Sequence, residues 1–177
     1  MKKKTREQDI YYFDSKEQED TGRCAGMLRQ MISEIMQREN RKGVLLFCIG
    51  TDRSTGDSLG PLTGHKLKAA GLEDCFVQVV GTLDCPVHAM NLEQAVFMVH
   101  RCYPEYVIVA VDASVGQTEH VGCITLGRGA LRPGLGVSKE LQAVGDIFIT
   151  GIVGGYGSYD PLMLQSVRLS VVMRMAD

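Results

Sequence analysis

The chain is predicted to be a three-layer α/β/α domain on a mainly parallel sheet, and three observations carry that expectation. Apolar runs at Val44–Ile49, Phe76–Val80 and Tyr106–Val111 are continuous rather than alternating, as in strands buried on both faces. The stretches between them, Ser58–Ala70 and Asn91–Tyr103, are long and periodic enough to be crossover helices. The resulting βαβαβ succession calls for right-handed connections between parallel strands.

The elements follow in order. Residues 1–20 are polar and charged around one small apolar cluster, Ile10–Phe13, and read as a flexible N-terminal arm. From residue 21 to 177 the chain reads as a single domain. Met27, Leu28, Met31, Ile32, Ile35 and Met36 recur one helical turn apart, marking the buried stripe of a helix that ends near Asn40. After the βαβαβ core, Val121–Leu126 and Ile147–Val153 add two strands, and Leu162–Met175 closes the chain as an apolar-rich helix.

Composition narrows the function. With 177 residues and 45% hydrophobic content the chain can close one ordinary core. Its 19 basic and 21 acidic residues balance, so no field gathers nucleic acid or anionic lipid over the surface. The opening MKKKTREQDIYYF lacks the apolar core of a signal peptide, and no run approaches a membrane span, so a cytoplasmic protein is expected. Six cysteines are scattered without a CxxC pair and read as reduced, mostly buried small hydrophobes. Nothing sets the oligomeric state, and a homo-oligomer stays open.

In parallel sheets, ligands collect beyond the carboxyl ends of the strands, where loops part and helix N-termini point outward. Two loops are expected there. The first, Gly50–Pro61 (GTDRSTGDSLGP), leads from a strand into a helix; the second holds Asp112 in VDASVG. Asp57 has a structural alternative, since an aspartate before a helix commonly caps it. Asp112 is harder to explain that way, because a carboxylate closing an apolar strand needs a site, a cation or a donor. Two such carboxylates either share a proton as acid and base or clasp a divalent metal, and both arrangements activate water.

The remaining candidates surround this pair. Gly50, Thr51, Asp52, Arg53 and Ser54 would bind substrate, with backbone amides of the Gly50–Gly56 turn steadying an oxyanion. His88, in TLDCPVHAMN after the second strand, is the candidate third metal ligand or proton carrier beside Asp57 and Asp112. His65, His100 and His120 read as ordinary positions. Arg132, in the glycine-rich stretch Gly127–Val137, is placed to hold a carbonyl or carboxylate from a lip over the crevice, unless that stretch is plain turn chemistry. Gly151–Tyr159 would admit an extended peptide. The turn after the first strand has no P-loop lysine, and neither GxGxxG nor GxSxG occurs, which argues against nucleotide binding there and against a serine nucleophile.

These residues carry a resemblance. Asp57-Ser58-Leu59-Gly60-Pro61 is similar to the first aspartate motif of the germination proteases of spore-forming bacteria, and Val111-Asp112-Ala113 to their second. Pro133-Gly134-Leu135-Gly136-Val137 resembles a later loop of the same proteins. From Leu46 to the C-terminal helix, including LDCPVHAMNLE and VGDIFITGIV, the chain resembles the YyaC-type spore proteases. The resemblance implies a phosphorylase/hydrolase-like fold shared, more remotely, with hydrogenase maturation proteases. It also implies an aspartate-pair endopeptidase of the sporulating cell or spore core, with Asp57 and Asp112 catalytic and a protein or peptide substrate such as a spore protein. The departures are Thr51, where both relatives usually carry asparagine, a shorter chain than a germination protease, and no histidine around Gly134–Lys139 to match the nickel-holding one of maturation proteases. The alternative is a peptide-binding or scaffolding protein that kept the fold without turnover.

Overall fold

A computed structural model of the protein describes residues 10–133, 142–155 and 161–177. The strands are β1 (Ile10–Asp14), β2 (Gly43–Cys48), β3 (Val77–Val80), β4 (Tyr106–Gly116), β5 (Cys123–Arg128) and β6 (Ile147–Gly155). The helices are α1 (Gln18–Glu39), α2 (Leu59–Ala69), α3 (Leu92–Cys102), α4 (Pro161–Ser166) and α5 (Leu169–Ala176). All six strands form one sheet in the order β1-β5-β6-β4-β2-β3. β3, β2, β4 and β6 run parallel, while β5 is antiparallel to both β6 and β1. The α/β fold with a mainly parallel sheet is therefore the observed one.

The continuous apolar runs are explained by what lies on each face. In β4, Val107 and Val109 pack against Met31 and Ile35 of α1, while Ile108 and Ala110 turn the other way onto Leu92, Val96 and Val99 of α3. Val111 shares a further cluster with Cys48, Val79 and Leu67 of α2, on the α1 side of the sheet. A strand clamped between two helical layers has no solvated face, so no polar residue interrupts it before Asp112.

Three expectations are corrected. Within the arm read as flexible, Ile10–Asp14 forms the edge strand β1, paired residue by residue with β5 and anchored by Phe13 in the α1 core. Residues 1–9 lie outside the described residues. α1 begins at Gln18, well before the methionine stripe, because its first turns are exposed and carry no apolar signal; Asp20 ties them down by accepting from the Asp14 amide at 2.9 Å and from Arg23. Its other end is as read: Asn40 takes the left-handed conformation, φ 52°, and its amide closes on the Met36 carbonyl. The C-terminal segment is two helices rather than one. Arg168 is extended, and the break lets Val167 and Val172 join the same cluster with Leu59 and Val153.

The cysteines are free, as expected, but only Cys48 is buried; Cys75, Cys85 and Cys102 fall in turns or at a helix end and are exposed. Among the described residues no helix is long and apolar enough to cross a membrane.

Candidate active site

β2 and β4 are neighbours, yet the chain reaches β3 on the far side of β2 before it returns to add β4. α2 and α3 accordingly cover opposite faces. At such a switch point the two connections part, and a crevice opens beyond the carboxyl ends of the two strands. Asp57 lies on the connection leaving β2, and Asp112 on β4 itself.

Asp112 was expected to close its strand, but β4 runs on to Gly116. β2 ends at Cys48, opposite Val111, and the Ile49 amide donates to the Val111 carbonyl at 2.7 Å. The longer strand continues alone against β6. Asp112 is therefore the first β4 residue past the β2 pairing, at the carboxyl end of that pairing and only 7% exposed.

The β2–α2 loop is held by its own backbone. Gly50 has φ 137°, and a Cβ there would collide with the Asp57 carbonyl. That contact is used: the Thr51 amide donates to the Asp57 carbonyl at 3.0 Å, and the Asp57 amide to the Ser54 carbonyl at 3.0 Å. Gly60 lies so close to the Ile49 carbonyl that no side chain would fit, which seats the start of α2 on the end of β2. Ser58, not Asp57, occupies the cap position, and no side chain caps the helix there. Asp57 sits in the preceding 3-10 turn, Thr55–Asp57, with its carboxylate not spent on capping.

The two carboxyls are electrostatically joined. Burial pushes Asp57 up to about 6, opposed by the Thr51 backbone amide and by His88. Asp112 is raised well above the usual carboxylate range, first by burial and then by the Asp57 charge; the Ala113 amide, donating to Oδ1 at 2.8 Å, partly offsets this. Both shifts favour the protonated form, and because the Asp57 charge raises Asp112 the two titrate as a coupled pair.

His88 belongs to the same neighbourhood, since it acts on Asp57. Its main chain starts α3: its carbonyl accepts from the Asn91 and Leu92 amides, and its own amide donates to Asn91 Oδ1 at 2.8 Å. Its ring Nδ1 accepts from the Met90 amide at 3.2 Å. Among the described residues no three His, Cys, Asp or Glu side chains cluster as a metal site requires. The residues present do not fit the expected Asp57–Asp112–His88 metal set; His88 fits a proton-carrying or charge-balancing place instead.

The other predicted residues divide. Gly50 and Thr51 shape the loop, and their amides are consumed, Gly50's by the Val87 carbonyl at 2.7 Å. The Arg53 amide bonds Thr51 Oγ1 at 3.3 Å. The expected oxyanion role is thus closed to those three amides. Asp52 and Arg53 are exposed, whereas the Ser54 hydroxyl is buried with no hydrogen-bond partner. Arg132 is exposed and acts on neither aspartate. β5 runs antiparallel, so the connection carrying Arg132 starts at the opposite end of the sheet. Residues 134–141 of the expected lip lie outside the described residues. The glycines of the Gly151–Tyr159 stretch do not admit a peptide where they are described: side chains at Gly151, Gly154 and Gly155 would meet Leu59, Met163 and Thr118. Residues 156–160 lie outside the described residues. Cys48, beneath the crevice, is pushed up to about 12 by burial and stays a thiol.

Sequence reasoning missed Ser114, Thr125 and Thr150. Thr125 and Thr150 are 5% and 7% exposed, and their hydroxyls lie 2.6 Å apart. The available signal was a threonine in an otherwise apolar strand, IFITGIV, which β propensity alone would explain.

Comparison with known proteins adds a family. The family described as "Protein of unknown function (DUF1256)" matches residues 12–177. The chain belongs to it. This DUF1256 chain is 42% identical over 154 residues to the uncharacterized protein YyaC of Bacillus subtilis (strain 168), covering 87% of the chain and 74% of that relative. Among solved structures it is similar to the [NiFe] hydrogenase maturation protease HycI from Thermococcus kodakarensis KOD1, with 17% identity, a TM-score of 0.46, and coverage of 77% of this chain and 88% of that one.

Proposed function

We propose that this DUF1256 chain is a peptidase in which Asp57 and Asp112 activate water against a peptide carbonyl. The supporting observation is that both carboxyls are raised and coupled: burial pushes Asp57 up to about 6, and burial together with the Asp57 charge raises Asp112 well above the usual carboxylate range. Such a pair supplies a base and an acid at one pH. Asp57 takes a proton from water as its oxygen attacks the carbonyl carbon, and Asp112 gives its proton to the carbonyl oxygen. On collapse, Asp57 passes its proton to the amide nitrogen, the C–N bond breaks, and the diol returns a proton to Asp112. Both carboxyls end as they began, with no metal in the cycle.

The similarity of Asp57-Ser58-Leu59-Gly60-Pro61 to germination-protease motifs favours a spore protein as substrate and the sporulating cell as the place of action. The test is to incubate extracts of spore-forming cells with wild type, Asp57→Asn and Asp112→Asn, and to map new N-termini by mass spectrometry. Wild-type-specific termini support the reading, and identical maps from all three overturn it. A second reading, a peptide-binding protein without turnover, draws on the depth of Asp112, 7% exposed. It predicts that wild type and Asp112→Asn capture the same peptides uncut.

A further inference from the structure

Asp112 stands in a polar rung that the catalytic reading does not use. β4, β6, β5 and β1 align Asp112 with Thr150, Thr150 with Thr125, and Thr125 with Tyr12. Residues in register share a face. The neighbours agree: Val111, Ile149, Leu126 and Phe13 all turn into the clusters on the α1 and α2 side, so the rung faces the other way. Ser114, two residues beyond Asp112, joins it. Thr125 and Thr150 are 5% and 7% exposed, and a hydroxyl buried to that depth costs free energy unless it is bonded; here three hydroxyls meet.

Ser114 Oγ donates to Thr150 Oγ1 at 3.0 Å, and Thr125 Oγ1 lies 2.6 Å from the same oxygen. A hydroxyl oxygen accepts two hydrogen bonds and donates one. Ser114 fills one lone pair of Thr150, and either hydroxyl of the Thr125–Thr150 contact could donate; in the arrangement where Thr125 donates, the Thr150 hydrogen is left for a further acceptor. The acceptor one strand away is the Asp112 carboxyl. No direct bond joins them, and a strand spacing of about 4.8 Å is the span of one bridging water.

We propose that Thr150 is a positioning residue for Asp112: gripped by Ser114 and Thr125, it aims its hydroxyl hydrogen along the rung and orders a water that donates to the carboxyl. This deepens the aspartate-pair reading and rests on it for its catalytic meaning, but its physical content concerns Asp112 alone. An ordered donor favours the charged form and so opposes the upward push of burial on Asp112. The other titratable groups around Asp112 are Asp57 on the 3-10 turn and, beyond it, His88 on the loop before α3.

The test reads the side-chain carboxyl carbon of Asp112 by NMR across pH in the full chain, assigned by its loss in Asp112→Asn. Thr150→Val keeps the shape and removes the hydroxyl; the Asp112 midpoint moves up by about half a pH unit to one unit. Thr150→Ser restores the hydroxyl and returns the midpoint to the wild-type value. Thr150→Ala takes over if the amide spectrum of the Thr150→Val variant is not that of the native fold. A midpoint unmoved in both Thr150→Val and Thr150→Ala overturns the proposal, as does a shift in Thr150→Ser as large as in Thr150→Val. No cleavage enters this readout, so failure of the peptidase reading leaves the result standing and failure here leaves that reading open.

Discussion

Asp57 and Asp112 border one crevice, yet they reach it by different routes. Asp57 rides on a turn held by backbone hydrogen bonds to Thr51 and Ser54, half-buried and within influence of His88. Asp112 is built into the longest strand, almost sealed, with one amide from Ala113 on its carboxyl. In the proposed reaction the same side chain is a base in one place and an acid in the other. Depth decides which: desolvation acts first on both, and the charge on the shallower group then raises the deeper one further.

The largest expected effect breaks the pair outright. Asp57→Asn and Asp112→Asn each lower cleavage of a mapped substrate by about 100-fold or more, the usual weight of a positioned acid or base. The double variant loses little beyond either single one, because a shared proton makes the two act as a unit. Losses that multiply would mean that the carboxyls work independently.

Next comes the joint that brings the turn to the strand. Gly60→Ala would drive a methyl group into the Ile49 carbonyl, where backbone must move. A loss of about 2 kcal/mol or more in unfolding free energy is expected, measured by urea denaturation. Gly71→Ala, with φ 70° but open space around it, costs less, about 1 kcal/mol.

Stability against pH tests the burial of both aspartates directly. Asp57 binds its proton more tightly folded than unfolded, so its ionisation works against the fold. That penalty is absent below about pH 4 and complete once pH has risen through about 6. Asp57→Asn removes it, and the variant gains about 1–3 kcal/mol over wild type above that window and nothing below it. Asp112→Asn gains with the same sign, because burial and the Asp57 charge raise that carboxyl too. A loss of stability in either variant above about pH 6 would mean that burial does not raise the group it removes.

The sequence made this comparison half legible. The runs VLLFCI and YVIVAV betrayed their double burial, and the glycine-rich turn placed Asp57 beside a helix start. Legibility failed where long-range pairing decides. Asp112 looked terminal because its apolar run stops there, yet the strand continues since β6 pairs Thr150 to Gly155 with it. Ile10–Phe13 is too short to announce a strand without β5 beside it, and Arg132 is led to the other end of the sheet by the antiparallel direction of β5, which no local pattern declares. The hydroxyl cluster of Ser114, Thr125 and Thr150 joins residues 36 and 25 positions apart, and no local pattern encodes that.

His88 gives the smallest and most discriminating effect. It lowers the pKa of Asp57 through its charge, so it influences the base across space. In His88→Gln that favourable interaction is gone, the Asp57 carboxyl rises, and the acid limb of the pH–rate profile moves upward by about half a pH unit or less, as suits a partly solvated charge. The rate on the plateau is retained to within about threefold, since a charge-balancing group leaves the proton transfers of the aspartates in place. A plateau that instead collapsed to the level of Asp57→Asn would make His88 a proton carrier in the reaction. The asymmetry between Asp57 and Asp112 would then be two parts of a three-group relay.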